Sequence, residues 1–271
     1  DVLVDGDRIA AIAPWLEVPG AEVVDAAGCI VIPGLVNAHM HTWQTALRGI
    51  CSDWTLLDYF LGIRSTLSPR YTAQDVYVGN FVGALEALDA GVTTILDFSH
   101  CNNTPEHADK AIEGLVDAGI RATFAYGYFA PPRADPHFTS HAMRIDDSRR
   151  VERLVQGLPG NRITMGVALT EPGLIPLEDT RREVAAAREM GVVIATHTGC
   201  IWGMPSGLDQ FAFHGLLGPD MVHIHCNACT DRDWQHLERS EARISVSPET
   251  ELQMGMGHPP IGRALSAGLV L

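Results

Sequence analysis

Val31-Ile32-Pro33-Gly34-Leu35-Val36-Asn37-Ala38-His39-Met40-His41 is the stretch whose reading decides the fold. An apolar run from Cys29 to Val36, with Pro33-Gly34 set inside it, ends in two histidines one residue apart. On a strand, side chains alternate with period two, so both imidazoles project to the same side. Neutral imidazole is the commonest protein ligand for zinc and also suits iron and nickel, so the pair can grip a metal if further ligands converge on it. The other reading is two histidines satisfied by backbone hydrogen bonds at the mouth of a barrel.

Working outward from this strand, the chain alternates strands with amphipathic helical stretches, the pattern of parallel βαβ units. A long excursion through Trp54 to Pro69 leads to a helix near Thr72 to Asp89, with Thr72 as its N-cap and Gly91 as its stop. Strand Val92 to Phe98 precedes helix Thr104 to Ala118, and strand Ile120 to Tyr126 precedes a helix around Asp147 to Gln156. Strand Ile163 to Leu169 leads to helix Leu177 to Met190, and strand Val192 to Thr196 to a looser segment ending in 207–217. Strand Met221 to Cys226 precedes helix Thr230 to Glu238, and strand Arg243 to Val246 precedes a helix near Ile261 to Ala267. Leu269 to Leu271 opens a last strand. Eight βα units of about 250 residues close a (β/α)8 TIM-like barrel, whose site lies at the C-terminal ends of the strands.

Ahead of the barrel, residues 1 to about 33 read as short strands separated by turns: Val2 to Val4, Arg8 to Ile12, Glu22 to Asp25 and Cys29 to Ile32. The expected organisation is therefore residues 1–33 as part of a small β domain and 34–271 as the barrel. The sequence opens inside a strand without a methionine and stops at the start of another, so a chain incomplete at both ends is expected.

Composition narrows the partners. The formal charge is −14, and the 19 Lys and Arg are scattered rather than gathered in a basic stripe, which argues against nucleic acid and anionic membranes. No run of eighteen apolar residues and no charged-then-apolar leader appears, so a cytoplasmic protein is expected. The 6 cysteines are too few and too dispersed for a disulfide scaffold. Cys226-Asn227-Ala228-Cys229 has no second pair beside it, so it reads as small thiols at a strand end.

A barrel converges only the histidines at its C-terminal strand ends. His39 and His41 end the first strand, His197 closes the fifth and His225 lies near the end of the sixth. His223 is one layer deeper and reads as a satisfied core histidine. His100, just past the second strand, is open between a substrate contact and a loop histidine. Asp97 is likewise open between a substrate contact and a cap on backbone amides. Gln44 is placed to hydrogen-bond a bound heterocycle, while Trp43 and Trp202 either wall a pocket for a flat ring or pack in the ordinary way.

The segment Pro33 to His41, followed by Leu47-Arg48-Gly49 and by Ser52-Asp53-Trp54-Thr55-Leu56-Leu57-Asp58-Tyr59-Phe60, resembles the opening of the metal-dependent amidohydrolase superfamily. The nearest branch is the one holding cytosine, guanine and adenosine-type deaminases and the triazine hydrolases. The Gly91-Val92-Thr93-Thr94 entry to the second strand and the later histidines fit the same pattern. The resemblance implies that the N-terminal strands belong to a small flanking β-sandwich. It implies one divalent metal, zinc or sometimes iron, held by His39, His41, His197 and a strand-eight aspartate that would follow Leu271. His225 would then bind or activate the attacking water.

The implied activity is hydrolysis of a carbon–nitrogen bond in a cyclic amidine, amide or aminated heterocycle. Such a small molecule would be the partner, with association into a homo-oligomer left open. One departure bears on the chemistry. Deaminases of this branch carry a proton-shuttling glutamate three residues after the strand-five histidine, whereas His197-Thr198-Gly199-Cys200 puts a cysteine there. A thiol with a free pKa near about 8.5 is a poor proton donor to a leaving amine. Cys200 is therefore expected to touch substrate, and another group to move the proton. Glu249 and Glu251 are the nearest carboxylates, and Glu251 stands where relatives tend to carry a substrate-contacting asparagine; it is expected to take a catalytic role. Dehalogenation or decarboxylation in the same pocket, and a catalytically silent barrel that binds a small molecule, are the alternatives.

Overall fold

The structure is a computed structural model that describes all 271 residues. The chain divides into two compact units, Asp1–Pro33 and Gly34–Leu271. In the first, β1 (Val2–Asp5) and β2 (Arg8–Ile12) form an antiparallel hairpin. Gly6, at φ +61°, supplies the left-handed residue of its turn. The strands expected at Glu22–Asp25 and Cys29–Ile32 are not formed. Their apolar side chains (Val23, Val24 and Ile30) are more than four-fifths exposed, at 87%, 81% and 90%. An extended segment becomes a strand only where a neighbour takes up its backbone N–H and C=O groups, and these segments have none.

The second unit holds seven parallel strands in sequence order: β3 (Leu35–Met40), β4 (Val92–Ser99), β5 (Arg121–Gly127), β6 (Ile163–Ala168), β7 (Val193–Thr198), β8 (Met221–His225) and β9 (Arg243–Ser245). This is the nearly closed (β/α) barrel that the alternation predicts. The first barrel strand begins at Leu35, whose N–H donates to the Gly91 carbonyl at 2.9 Å and which pairs with Val92. Leu269–Leu271 forms no strand, although the Ile244 N–H donates to the Val270 carbonyl at 2.9 Å.

Helices fill the crossovers: α1 (Leu56–Tyr59), α2 (Ala73–Asp89), α3 (Pro105–Ala118), α4 (His141–Gln156), α5 (Leu177–Met190), α6 (Leu208–Phe213), α7 (Asp231–Ser240), α8 (Pro248–Gln253) and α9 (Ile261–Ser266). Local chemistry sets their ends. Thr55, Thr72 and Thr230 each accept from the backbone N–H of an aspartate three residues on, whose carboxylate reaches back to the cap. Helix α4 starts six residues earlier than its apolar period suggests. Ser140 caps it, and its first buried turn carries Arg144, which donates to the Asn102 carbonyl at 3.1 Å; a polar residue on the inner face hides the pattern. The excursion from Trp54 to Pro69 is itself helical, α1 running on into a π-helical stretch over Phe60–Leu67.

The side chains that fix the barrel mouth are well buried. Helix α2 lies close against the short 3-10 helix that follows β3: a Cβ at Gly79 would come within 2.3 Å of the Trp43 carbonyl oxygen. Trp43 itself is fully buried, so it belongs to the core and walls no pocket. No helix is long and apolar enough to cross a membrane.

Candidate metal centre and active site

Strand ends deliver four imidazoles to one point. His39 comes from the end of β3 and His41 from just past it, His197 from β7 and His225 from the last position of β8. One ring nitrogen from each of His39, His41 and His197 lies within 4.8 Å of the others. His225 sits against the same group, its ring 5.3 Å from that of His39 and stacked on that of His197 at 5.6 Å. His225 and the following Cys226 both occupy left-handed backbone, at φ +79° and +58°. That conformation is costly for residues with a Cβ and is typical of functional sites.

Hydrogen bonds fix much of the ring chemistry. The Nδ1 of His41 is 2.8 Å from the Phe98 carbonyl, which only accepts, so Nδ1 carries the proton and Nε2 the lone pair. Burial, then the charges of neighbouring histidines, pushes the pKa of His39 and His41 well below the ordinary value. Burial also brings His197 down to about 4, against the pull of Glu171. All three rings are therefore neutral at pH 7, the state in which imidazole binds a metal. His39 also keeps a buried Nδ1 with no hydrogen-bond partner. Three neutral nitrogens in reach of one point, one ring left unsatisfied, fit a divalent cation that takes three protein nitrogens in an open coordination shell.

Glu251, expected to take a catalytic role, is fully buried and does not line the cavity, so it reaches His225 and not a bound substrate. Its carboxylate accepts from His225 Nδ1 at 2.9 Å, from the Ser247 backbone N–H at 2.7 Å and from Asn227 Nδ2 at 3.3 Å. Burial raises the Glu251 pKa, but these donors outweigh it and the net direction is downward. An ionised Glu251 therefore holds the proton of His225 on Nδ1 and leaves Nε2 as a base.

The imidazoles open into a cavity of about 630 Å³, within the roughly 300–1,000 Å³ of small-molecule sites. Gln44 and Cys200 line it, Gln44 donating to the Tyr59 hydroxyl at 2.7 Å. Burial, then the neighbouring Glu171 and Cys229, drives the Cys200 thiol far above its ordinary range, so it stays protonated. His100 does not line the cavity. It stacks behind His41 with ring centroids 4.1 Å apart, its Nδ1 accepting from Trp43 Nε1 at 3.0 Å; it backs the His41 ring rather than reaching the cavity. Asp97 is turned inward, accepting from the Thr42 backbone N–H at 3.1 Å and from Asn80 at 3.0 Å, which resolves its two readings in favour of the cap. His223 is a core histidine, bonded to Thr198 at 2.9 Å, though its Nε2 has no partner. Glu249 is exposed.

The structure adds two residues that the sequence reading does not pick out. Glu171, three residues past β6, lies 3.3 Å from His197 Nδ1. Arg64, from the π-helical excursion, donates to both oxygens of that carboxylate. Applying the strand-end test to acids as well as to histidines finds Glu171, but nothing in the spacing around Arg64 announces it.

A parallel barrel with a histidine cluster at the C-terminal strand ends defines a class, and the comparisons give the family. The chain belongs to the amidohydrolase family, whose model matches residues 30–204. It is 29% identical over 283 residues to a 5-methylthioadenosine/S-adenosylhomocysteine deaminase of Symbiobacterium thermophilum, an alignment covering 100% of this chain and 63% of that protein. The chain thus spans less than two thirds of the length of the curated relatives it matches. Two solved structures share the fold. An atrazine chlorohydrolase TrzN from Arthrobacter aurescens TC1, complexed with zinc, has a TM-score of 0.76 at 20% identity over 99% of this chain and 65% of that one. An adenosine deaminase from Xanthomonas campestris with bound zinc has a TM-score of 0.75 at 19% identity over 88% and 54%.

Proposed function

We propose that this barrel is the catalytic part of a metal-dependent hydrolase that cleaves a carbon–nitrogen bond of an aminated or amide-like nitrogen heterocycle. The observation that carries the reading is the approach of His39, His41 and His197 nitrogens to within 4.8 Å of one another. In this reading these three hold one divalent ion, with zinc as the metal. Bound there, such an ion acts as a Lewis acid that lowers the pKa of a water from 15.7 to roughly 7.

The protein's own groups supply the rest. His225, with its Nδ1 proton held by Glu251, offers Nε2 to accept a proton from the attacking water. Gln44 presents its amide to the bound ring. The apolar lining, including Phe60, Phe129 and Met256, excludes water from the heterocycle and takes up its flat faces. The relatives named as deaminases support loss of ammonia as the outcome. Cys200 favours a second reading, because a thiol held protonated stands where the deaminases this chain resembles have their acid. A leaving group that needs no proton, such as halide, would suit that arrangement.

Metal analysis of the purified chain separates enzyme from silent barrel. About one zinc per chain, lost in the His39→Ala/His41→Ala variant while the fold persists, supports the reading, and a folded, metal-free wild type defeats it. A panel of aminated and halogenated heterocycles, followed for ammonia and for halide, then decides between the two leaving groups.

A further inference from the structure

Arg64 and Glu171, two residues that the proposed reaction does not use, form a line that ends on His197. It runs from the π-helical excursion after β3, through the loop after β6, to a ring on β7. The Arg64 side chain is 3% exposed and that of Glu171 12%. The guanidinium lies over the Phe129 ring, 3.8 Å from its centroid, and grips both carboxylate oxygens. A fork-to-fork pair of this kind holds a carboxylate in one orientation. Burying two charges is costly unless geometry repays it, so a pair kept beside a histidine cluster calls for a reason.

The reason lies on the far side of the carboxylate. Glu171 Oε1 is 3.3 Å from His197 Nδ1. This is an ion-pair approach rather than an aligned hydrogen bond, but a carboxylate oxygen can only accept, so the contact favours the tautomer with the proton on Nδ1 and the lone pair on Nε2. Imidazoles that bind metals commonly give their second N–H to a carboxylate, which sets both tautomer and ring angle. His41 obtains the same service from the Phe98 carbonyl at 2.8 Å. His197 has no backbone carbonyl in that role, and Glu171 takes it.

We propose that Glu171, anchored by Arg64, is a positioning residue that presents His197 to the metal. This rests on the reading of His39, His41 and His197 as the cation site. It makes a segment remote in sequence, the excursion bearing Arg64, part of the support of that site.

The test uses the full chain stripped of metal, zinc as the probe, and a competing chromogenic chelator to read affinity. Glu171→Gln is expected to bind zinc about 10–100-fold more weakly than wild type. Because that variant leaves Arg64 buried without its partner, Arg64→Met/Glu171→Met is measured beside it. Replacing a buried pair by apolar groups of similar volume is often neutral for folding, yet the same loss of zinc affinity is expected. Nitrogen-15 NMR of the metal-free protein supplies a reading that a merely structural role would not move. His197 should be in the Nδ1–H form in wild type and shift towards Nε2–H in the double variant. Unchanged zinc affinity in both folded variants overturns the proposal, as does an Nε2–H ring in wild type. If wild type itself fails to bind zinc, the metal reading falls instead, and the tautomer still decides whether Glu171 orients His197.

Discussion

Glu171 stands 3.3 Å from His197 and Glu251 2.9 Å from His225, and the two imidazoles lie nearly parallel, at 8°, with centroids 5.6 Å apart. The carboxylates are held by different means. Glu171 faces the cavity, and its counter-charge is a guanidinium; burial raises its pKa, but Arg64 and then His197 bring it well below the carboxylate range. Glu251 is sealed away from the cavity and held by a backbone N–H and the amide of Asn227. In the reading proposed above, one pair orients a metal ligand and the other a base, so that the same carboxylate–imidazole contact would serve two tasks, told apart by what stands behind the carboxylate.

The sharpest way to break this comparison is to remove the ring said to be the base. His225→Gln should lower kcat/KM by about 10²–10⁴-fold, the usual worth of a positioned acid or base, with zinc content unchanged by metal analysis. A variant that loses its zinc would place His225 among the ligands and erase the difference between the pairs. Glu251→Gln keeps the acceptor for the Ser247 N–H but removes the charge behind His225. We expect kcat to fall roughly 10–100-fold, the range for outer groups that orient a working imidazole, with KM and zinc affinity preserved. Loss of zinc affinity here, matching that of Glu171→Gln, would show both pairs doing one job. Cys200→Ser lies between the pairs and should cost far less than either. If the thiol were the missing proton donor, its loss would fall in the range of about 10²-fold or more, readable in steady-state kinetics.

The barrel and the meeting of its strand-end histidines were legible because they obey short-range rules. Period-two strands fix which way His39, His197 and His225 face, and threonine caps with an aspartate three residues on mark helix starts. What escaped was set by distant contact. Arg64 gains its meaning only from Glu171, 107 residues on. Glu251 was expected to take a catalytic role from its place after the seventh barrel strand. The otherwise exposed helix α8 turns this one side chain inward, to the ring of His225. His100, likewise placed correctly at a strand end, is covered by His41. Strand position tells which residues reach the mouth, and packing decides which of them reach the substrate.

Asp97 sharpens the comparison from the other side, with the smallest effect on turnover. It is a buried carboxylate near the same mouth that has no imidazole or guanidinium as partner, only the Thr42 N–H and Asn80. Burial, partly offset by those hydrogen bonds, raises its pKa from 3.8 to about 6, opposite in direction to both glutamates. A carboxyl whose folded pKa lies above its unfolded one gives stability that is full below about pH 4 and lost as the pH rises through 6. At about 1.4 kcal/mol per pH unit, the loss is on the order of 3 kcal/mol. Asp97→Asn removes the titration and keeps the acceptor for the Thr42 N–H. Asn80 has an unpartnered Oδ1 that its amide can turn toward the new NH₂. Urea unfolding of the metal-free protein at intervals from pH 4 to 7 should therefore show the variant gaining on wild type as the pH rises, with kcat/KM of the zinc-loaded protein unchanged at pH 7. If the two stabilities keep a constant difference across that window, Asp97 is already ionised in the fold, and the contrast between a carboxylate with a cationic partner and one without it does not govern this mouth.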